Sequence, residues 1–175
     1  MKYFTKEWYV RSKHSISCFQ KAENLYAEYL CSNALILPKE LIRDLHLHDA
    51  VLQGMHWFSD TLEMKFDVSR SASYVNGISF LNAEIVANDN PQEGDYWLFE
   101  EVYFINNVYE IHILFCDKFD IAKQIIIHAT DISFSYDEMK RSTINTRKEL
   151  VSKYKEASSE EKSVLYKKMK ESPDL

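Results

Sequence analysis

Apolar residues recur at helical spacing at the two ends of the chain and at every second position through its middle. Near the start, Phe19, Ala22, Tyr26 and Tyr29 step by three or four residues, which places them on one helix face. The pattern predicts helix from about Thr5 to Asn33, interrupted at Ser15-Ile16-Ser17. A short helix follows to Asp44, with Pro38 in its first turn. From Asp49 the period becomes two. Leu62, Met64, Phe66 and Val68 alternate with Glu63, Lys65 and Asp67, a half-buried strand whose partner runs from Val51 to Phe58 across a turn at Ser59-Asp60. Asn76-Gly77 reads as a turn leading into a strand from Ile78 to Val86. Asn88-Asp89-Asn90-Pro91 closes that strand. A hairpin spans Tyr96 to Cys116 around Asn106-Asn107, and a final strand covers about Gln124 to Tyr136. Helical spacing returns at Met139, Thr143, Thr146, Leu150 and Tyr154. Ser158 with Glu161 reads as a capping box opening a last helix, ended by Pro173.

Helices, then strands, then helices predict an α+β fold. The expectation is a mostly antiparallel, curved sheet of five to six strands with N-terminal and C-terminal helices packed on it. One domain is expected over 1–175. Its N-terminal helices occupy 1–45, its sheet 49–137 and a C-terminal helical hairpin 138–175. A chain of 175 residues that is 46% hydrophobic is long enough to bury a core without a metal or disulfide staple.

Composition narrows the function classes. The longest apolar runs are as short as Ile125-Ile126-Ile127, so no membrane span is expected. Cys18, Cys31 and Cys116 are odd in number and lack metal spacing. They read as small hydrophobes in a reducing, cytoplasmic setting. Residues 44–137 carry 16 acidic and 4 basic side chains, while each flank is net +3. An acidic centre argues against nucleic acid and allows a basic protein partner or internal pairing with the flanks. The tail cations, from Lys140 and Arg141 to Lys170, are interspersed with acids and read as a solvated helix surface. Phosphate-loop, dinucleotide, zinc-protease, nucleophile-elbow and calcium-loop signatures are absent, and no cofactor is expected.

Two constellations stand out. In an extended segment, His46 and His48 point to one side and could share a metal, with His56 near in sequence. The alternative is a turn with ordinary histidines. In the hairpin, a two-residue turn sets Ile105 against Val108, Glu101 against His112 and Tyr103 against Glu110. Those four polar residues share one face, opposite Leu98, Val102, Phe104, Ile111, Ile113 and Phe115. They form a candidate binding patch with Trp97 and Tyr103 as aromatic anchors, an acid–base pair, or an ordinary solvated face. Glu100 falls on the apolar face opposite Ile113. There it is expected to reach water at an edge or to meet a lysine.

Met1-Lys2-Tyr3-Phe4-Thr5-Lys6-Glu7-Trp8-Tyr9 resembles the opening of an uncharacterised bacterial family known as a domain of unknown function. Leu47-His48-Asp49-Ala50, Phe99-Glu100-Glu101-Val102-Tyr103 and Tyr109-Glu110-Ile111-His112 are similar to that family too. The resemblance implies a soluble bacterial protein and carries no activity. The residues themselves point first to a non-enzymatic protein-binding module, in one form an immunity or inhibitor protein for a basic toxin. The alternatives are a small hydrolase or ligand-binding enzyme using the Glu101–His112 surface, with or without metal, and a structural subunit that homodimerises.

Overall fold

The computed structural model describes residues 1–156 and 161. They divide into two units, Met1–Ser135 and a second that begins at Tyr136. The first begins with α1 (Lys6–Ser12), α2 (Ile16–Ser32) and α3 (Lys39–Asp44). The break foreseen at Ser15 is a helix start, since its hydroxyl accepts the Cys18 N–H. Thr5 caps α1 through Trp8 N–H in the same way. Cys18 and Cys31 are exposed and only Cys116 is buried, so the first two are not the small core hydrophobes expected.

One antiparallel sheet follows, of eight strands and not five to six: β1 (Val51–Phe58), β2 (Thr61–Asp67), β3 (Val75–Leu81), β4 (Glu84–Asn88), β5 (Tyr96–Ile105), β6 (Val108–Cys116), β7 (Ala122–Ala129) and β8 (Asp131–Tyr136). The larger count has a local cause. Two stretches that alternate like single strands are each broken at a corner. Asn82 adopts φ 48°, which ends β3, and Thr130 separates β7 from β8. The corner is tied by Thr130 N–H to Leu81 O (2.9 Å) and by Asn82 Nδ2 to Thr130 Oγ1 (2.8 Å).

The spatial order is β4-β7-β6-β5-β1-β2-β3-β8. Two residues join β3 to β4, and such a link reaches roughly 10 Å. The two ends of the order must therefore meet at that corner, and the sheet curls on itself. The inner face holds Leu62, Met64, Phe66, Ile78, Phe80, Ile113, Phe115 and Ile125, all buried. Trp97 packs edge-on between Phe66 (5.4 Å) and Phe115 (5.5 Å). Burying each such side chain contributes about 1.5–3 kcal/mol.

Two details depart from the sequence expectation. Asn76-Gly77 is not a turn but lies inside β3, where Gly77 pairs with Lys65. A Cβ there would run into Ser135 Oγ of β8, so glycine serves close strand approach. In the β5–β6 hairpin the expected register holds, with Asn106 (φ 53°) and Asn107 (φ 62°) in the left-handed region. A bulge between Trp97 and Phe99 shifts the pairing, however, and turns Trp97 inward opposite Phe115.

Basic flank and acidic centre do pair within the first unit, through Lys6–Asp89 (2.9 Å) and Lys13–Asp120. In the second unit, α4 (Glu138–Glu156) starts at Asp137, whose carboxylate accepts Lys140 N–H. Glu149 and Lys153 pair along its surface. The last helix, with Ser158 and Pro173, lies outside the described residues. Among the described residues no helix is long and apolar enough to cross a membrane.

Gly77→Ala is expected to lower unfolding free energy by about 1–3 kcal/mol in urea titrations. In a Ser135→Ala background most of that loss should vanish, because the obstructing hydroxyl is gone. Independent, additive losses would refute the close-approach explanation.

Candidate functional site

The residues singled out from the sequence fall into two separate places. Glu101 lies on the outer face of β5, is 0% exposed, and makes no direct ion pair, although the Met1 ammonium lies near enough for the two charges to interact. It is held by donors: Lys2 N–H to Oε2 (2.6 Å), Tyr3 and Phe4 N–H to Oε1 (2.7 and 2.6 Å), and the Tyr103 hydroxyl to Oε2. Hydrogen bonds to a charged acceptor are each worth about 1.5–3 kcal/mol. Three successive backbone donors therefore fasten the N-terminal segment across the sheet.

His112 stands opposite Glu101, as the register requires, and is also buried. Its Nε2 meets Glu110 Oε1 (2.7 Å), and Glu110 Oε2 continues to His128 Nε2 (2.9 Å). The Met1 nitrogen lies 2.5 Å from His112 Nδ1. These partners assign a neutral ring, with Nε2–H donated to Glu110 and Nδ1 accepting. Burial lowers the His112 pKa, which fits that state. Within the patch, Glu101 and His112 are thus covered by the chain's own N-terminal segment, while Tyr103 and Glu110 stay half-buried. Trp97, read as an exposed anchor, is 0% exposed on the opposite face. The bulge turned it inward.

The second place lies at an edge. β1 and β5 share one ladder pair, Val51↔Tyr96. Beyond it no strand pairs with that side of β5 among the described residues. Val102 N–H, at this free edge, is taken by the Tyr26 hydroxyl of α2 (2.9 Å). Helices α2 and α3 lean over the gap and leave a cavity of about 480 Å³. Its walls are largely apolar: Phe4, Phe19, Leu30, Leu41 and Phe99. Phe4 stacks on Phe99 with ring centres 4.8 Å apart, and Phe19 meets Phe99 edge-on at 5.8 Å.

His46 and Glu100 join in the wall of this cavity. His46 Nδ1 is 3.0 Å from Glu100 Oε1, and Trp97 Nε1–H donates to Glu100 Oε2 (2.7 Å). Glu100 is 8% exposed. It does face the inner side opposite Ile113, but its partners are a histidine and an indole, not a lysine. The Glu100 hydrogen bond, and then its charge, raise the His46 pKa against the opposing effect of burial. His48 also lines the cavity, but its Nδ1 pairs with Asp49 (3.1 Å). Among the described residues no group of three or more His, Cys, Asp or Glu side chains is placed to hold a metal.

Sequence reasoning passed over Glu23, Tyr26 and Phe99 as site residues. The usable signal was Glu23 lying four residues after Phe19 and four before Ala27, a carboxylate on the helix face that lines the cavity.

A curled antiparallel sheet capped by N-terminal helices, with a ligand-sized apolar cavity at one strand edge, defines the class. The chain belongs to the family described as protein of unknown function DUF4085, whose model matches residues 2–122. No curated protein and no solved structure matches it.

Glu101→Gln replaces one acceptor oxygen with a donor facing backbone N–H groups. It should cost about 3 kcal/mol and abolish hydrogen-exchange protection of the Lys2, Tyr3 and Phe4 amides. Retained protection would refute the fastening role.

Glu110 titrates below its ordinary 4.5, first because His112 bonds it. Its contribution is present above about pH 4.5 and is lost as pH falls through the lowered pKa. Glu110→Gln should therefore lower the urea midpoint at neutral pH and matter progressively less in acid.

Proposed function

We propose that this protein binds a small organic ligand in the cavity between α2, α3 and the free edge of β5. One observation supports this most directly. An apolar space of about 480 Å³ opens beside a buried carboxylate held in place by His46 and the Trp97 indole. Ligand sites commonly have this size and this composition, apolar walls with a few fixed polar groups. The polar side chains lining the cavity are Glu23, Tyr26, His46, His48 and Glu100, and since Glu100 bonds His46 and the Glu23 charge acts on the same ring, these two carboxylates would orient a ligand.

The recognition face once expected across Glu101 and His112 has no comparable opening, since both residues are buried under the N-terminal segment. The same closure removes support from acid–base chemistry at that pair. In the cavity, the lining contains no serine, threonine or cysteine side chain. The geometry therefore favours binding over acyl transfer through a hydroxyl or thiol nucleophile.

N-phenyl-1-naphthylamine, an apolar dye uncharged at neutral pH, should bind with its fluorescence enhanced and a Kd in the micromolar range, roughly 7–8 kcal/mol. Ala27→Trp, on the exposed face of α2 that lines the cavity, should abolish that binding and leave the far-ultraviolet circular dichroism and urea midpoint unchanged. Equal dye binding by a folded Ala27→Trp protein would overturn the reading.

A further inference from the structure

The chemical class of the ligand can be taken further, on the basis of the cavity reading above. The cavity lining holds two carboxylates, Glu23 and Glu100, and no lysine or arginine. Its two histidines are already engaged with acids, His46 with Glu100 and His48 with Asp49. A carboxylate ligand would meet two like charges with no lysine or arginine in the lining to offset them. A purely apolar ligand would fill the space but leave Glu23 and the remaining lone pairs of Glu100 without a new donor. A cation meets neither obstacle.

Three further features favour a cation. Glu23 and Glu100 act on the same point, because both charges raise the His46 pKa. Each oxygen of Glu100 accepts one hydrogen bond in the structure and has a second lone pair for another donor. His46 approaches Glu100 from the rim with its side chain 72% exposed, so it can move aside without unpacking the core. The rest of the lining is rich in aromatic rings, with Phe4, Phe19, Tyr26 and Phe99 all on the cavity. Aromatic walls with carboxylates are the surroundings that retain organic ammonium groups.

We propose that the cavity takes a small primary amine, its apolar body against Phe4, Phe19 and Phe99 and its ammonium at the end carrying Glu23 and Glu100. The ammonium replaces or supplements His46 as the partner of Glu100. Binding is non-covalent and needs no co-reactant.

Three probes of nearly equal shape separate charge from apolar fit: 4-phenylbutylamine, 4-phenylbutanol and 4-phenylbutyrate, titrated by displacement of the naphthyl dye and by calorimetry. The amine should bind about tenfold tighter than the alcohol, and the acid weaker than both. Glu23→Gln, at an exposed helix position, should weaken the amine about three- to tenfold and leave the alcohol unchanged. Glu28→Gln, on the same helix but outside the cavity, should change neither. Glu100→Gln should weaken the amine further where it folds.

Equal affinities for the three probes, or tightest binding of the acid, would overturn the amine assignment and leave the cavity reading standing. So would an amine preference that Glu23→Gln and Glu28→Gln reduce equally, since general attraction to an acidic surface would then explain it. Dye binding that none of the three probes displaces also overturns it. Failure of dye and probes alike removes the cavity reading itself.

Discussion

A buried carboxylate that makes no direct ion pair must be satisfied by hydrogen-bond donors, and in this protein most of those donors belong to the chain's own first residues. Glu101 gathers the N–H groups of Lys2, Tyr3 and Phe4. Leaving such a charge unpaired in a protein interior costs several kcal/mol, so the N-terminal segment has little freedom to lie elsewhere. Its path sets Phe4 on Phe99, and Phe4 in turn packs edge-on against Trp8 of α1 and Tyr26 of α2. The first two helices are located on the sheet by that sequence of contacts. One wall of the cavity, Phe4 on Phe99, is therefore a consequence of a hydrogen-bonding requirement two residues further along the same face of β5.

Neighbouring glutamates serve opposite faces of β5. Alternation sends Glu101 outward beneath the N-terminal segment and Glu100 inward opposite Ile113. In the middle of a fully paired sheet Glu100 would have been a liability. It is tolerable because β1 parts from β5 after Val51↔Tyr96, so the opened edge admits His46, while the bulge turns the Trp97 indole inward to the other oxygen. Loss of strand pairing, which exposes backbone donors, is offset by Tyr26 taking the Val102 N–H. The cavity opens at this parting of two strands, and the Glu100–His46 pair lies there.

Much of this architecture was legible in the chain. Strict alternation in β2 reported burial of Leu62, Met64 and Phe66 because a strand's side chains alternate between two faces whatever surrounds it. Asn106-Asn107 announced the hairpin and its register, since few residues accept two consecutive left-handed conformations. Thr5 and Ser15 marked helix starts through local side-chain bonds. Where local signals competed, the reading went astray. Asn76-Gly77 carries a turn's residues but lies in a strand, because pairing with β2 holds it extended, and its glycine answers instead to the close approach of Ser135. The corner at Asn82 and the bulge at Leu98 interrupt alternation by a single residue, and one residue is enough to change a strand count or turn Trp97 inward.

The candidate site divides along the same line. Residue types, helix phases and strand faces are properties of short segments, and the sequence determined them: Glu100 on an apolar face, Glu101 across from His112, Phe19 and Tyr26 on one helix stripe. Which of these became accessible was decided only by tertiary structure. Glu101 and His112 had the composition of a surface patch and were buried by a segment nearly a hundred residues away in the chain. His46 and Glu100, separated by 54 positions, became partners because a loop crosses the edge where β5 loses its neighbour. Local sequence sets which way a side chain leaves the backbone. Contact between distant segments depends on the path of the whole chain, and with it the difference between a buried fastening and an open site.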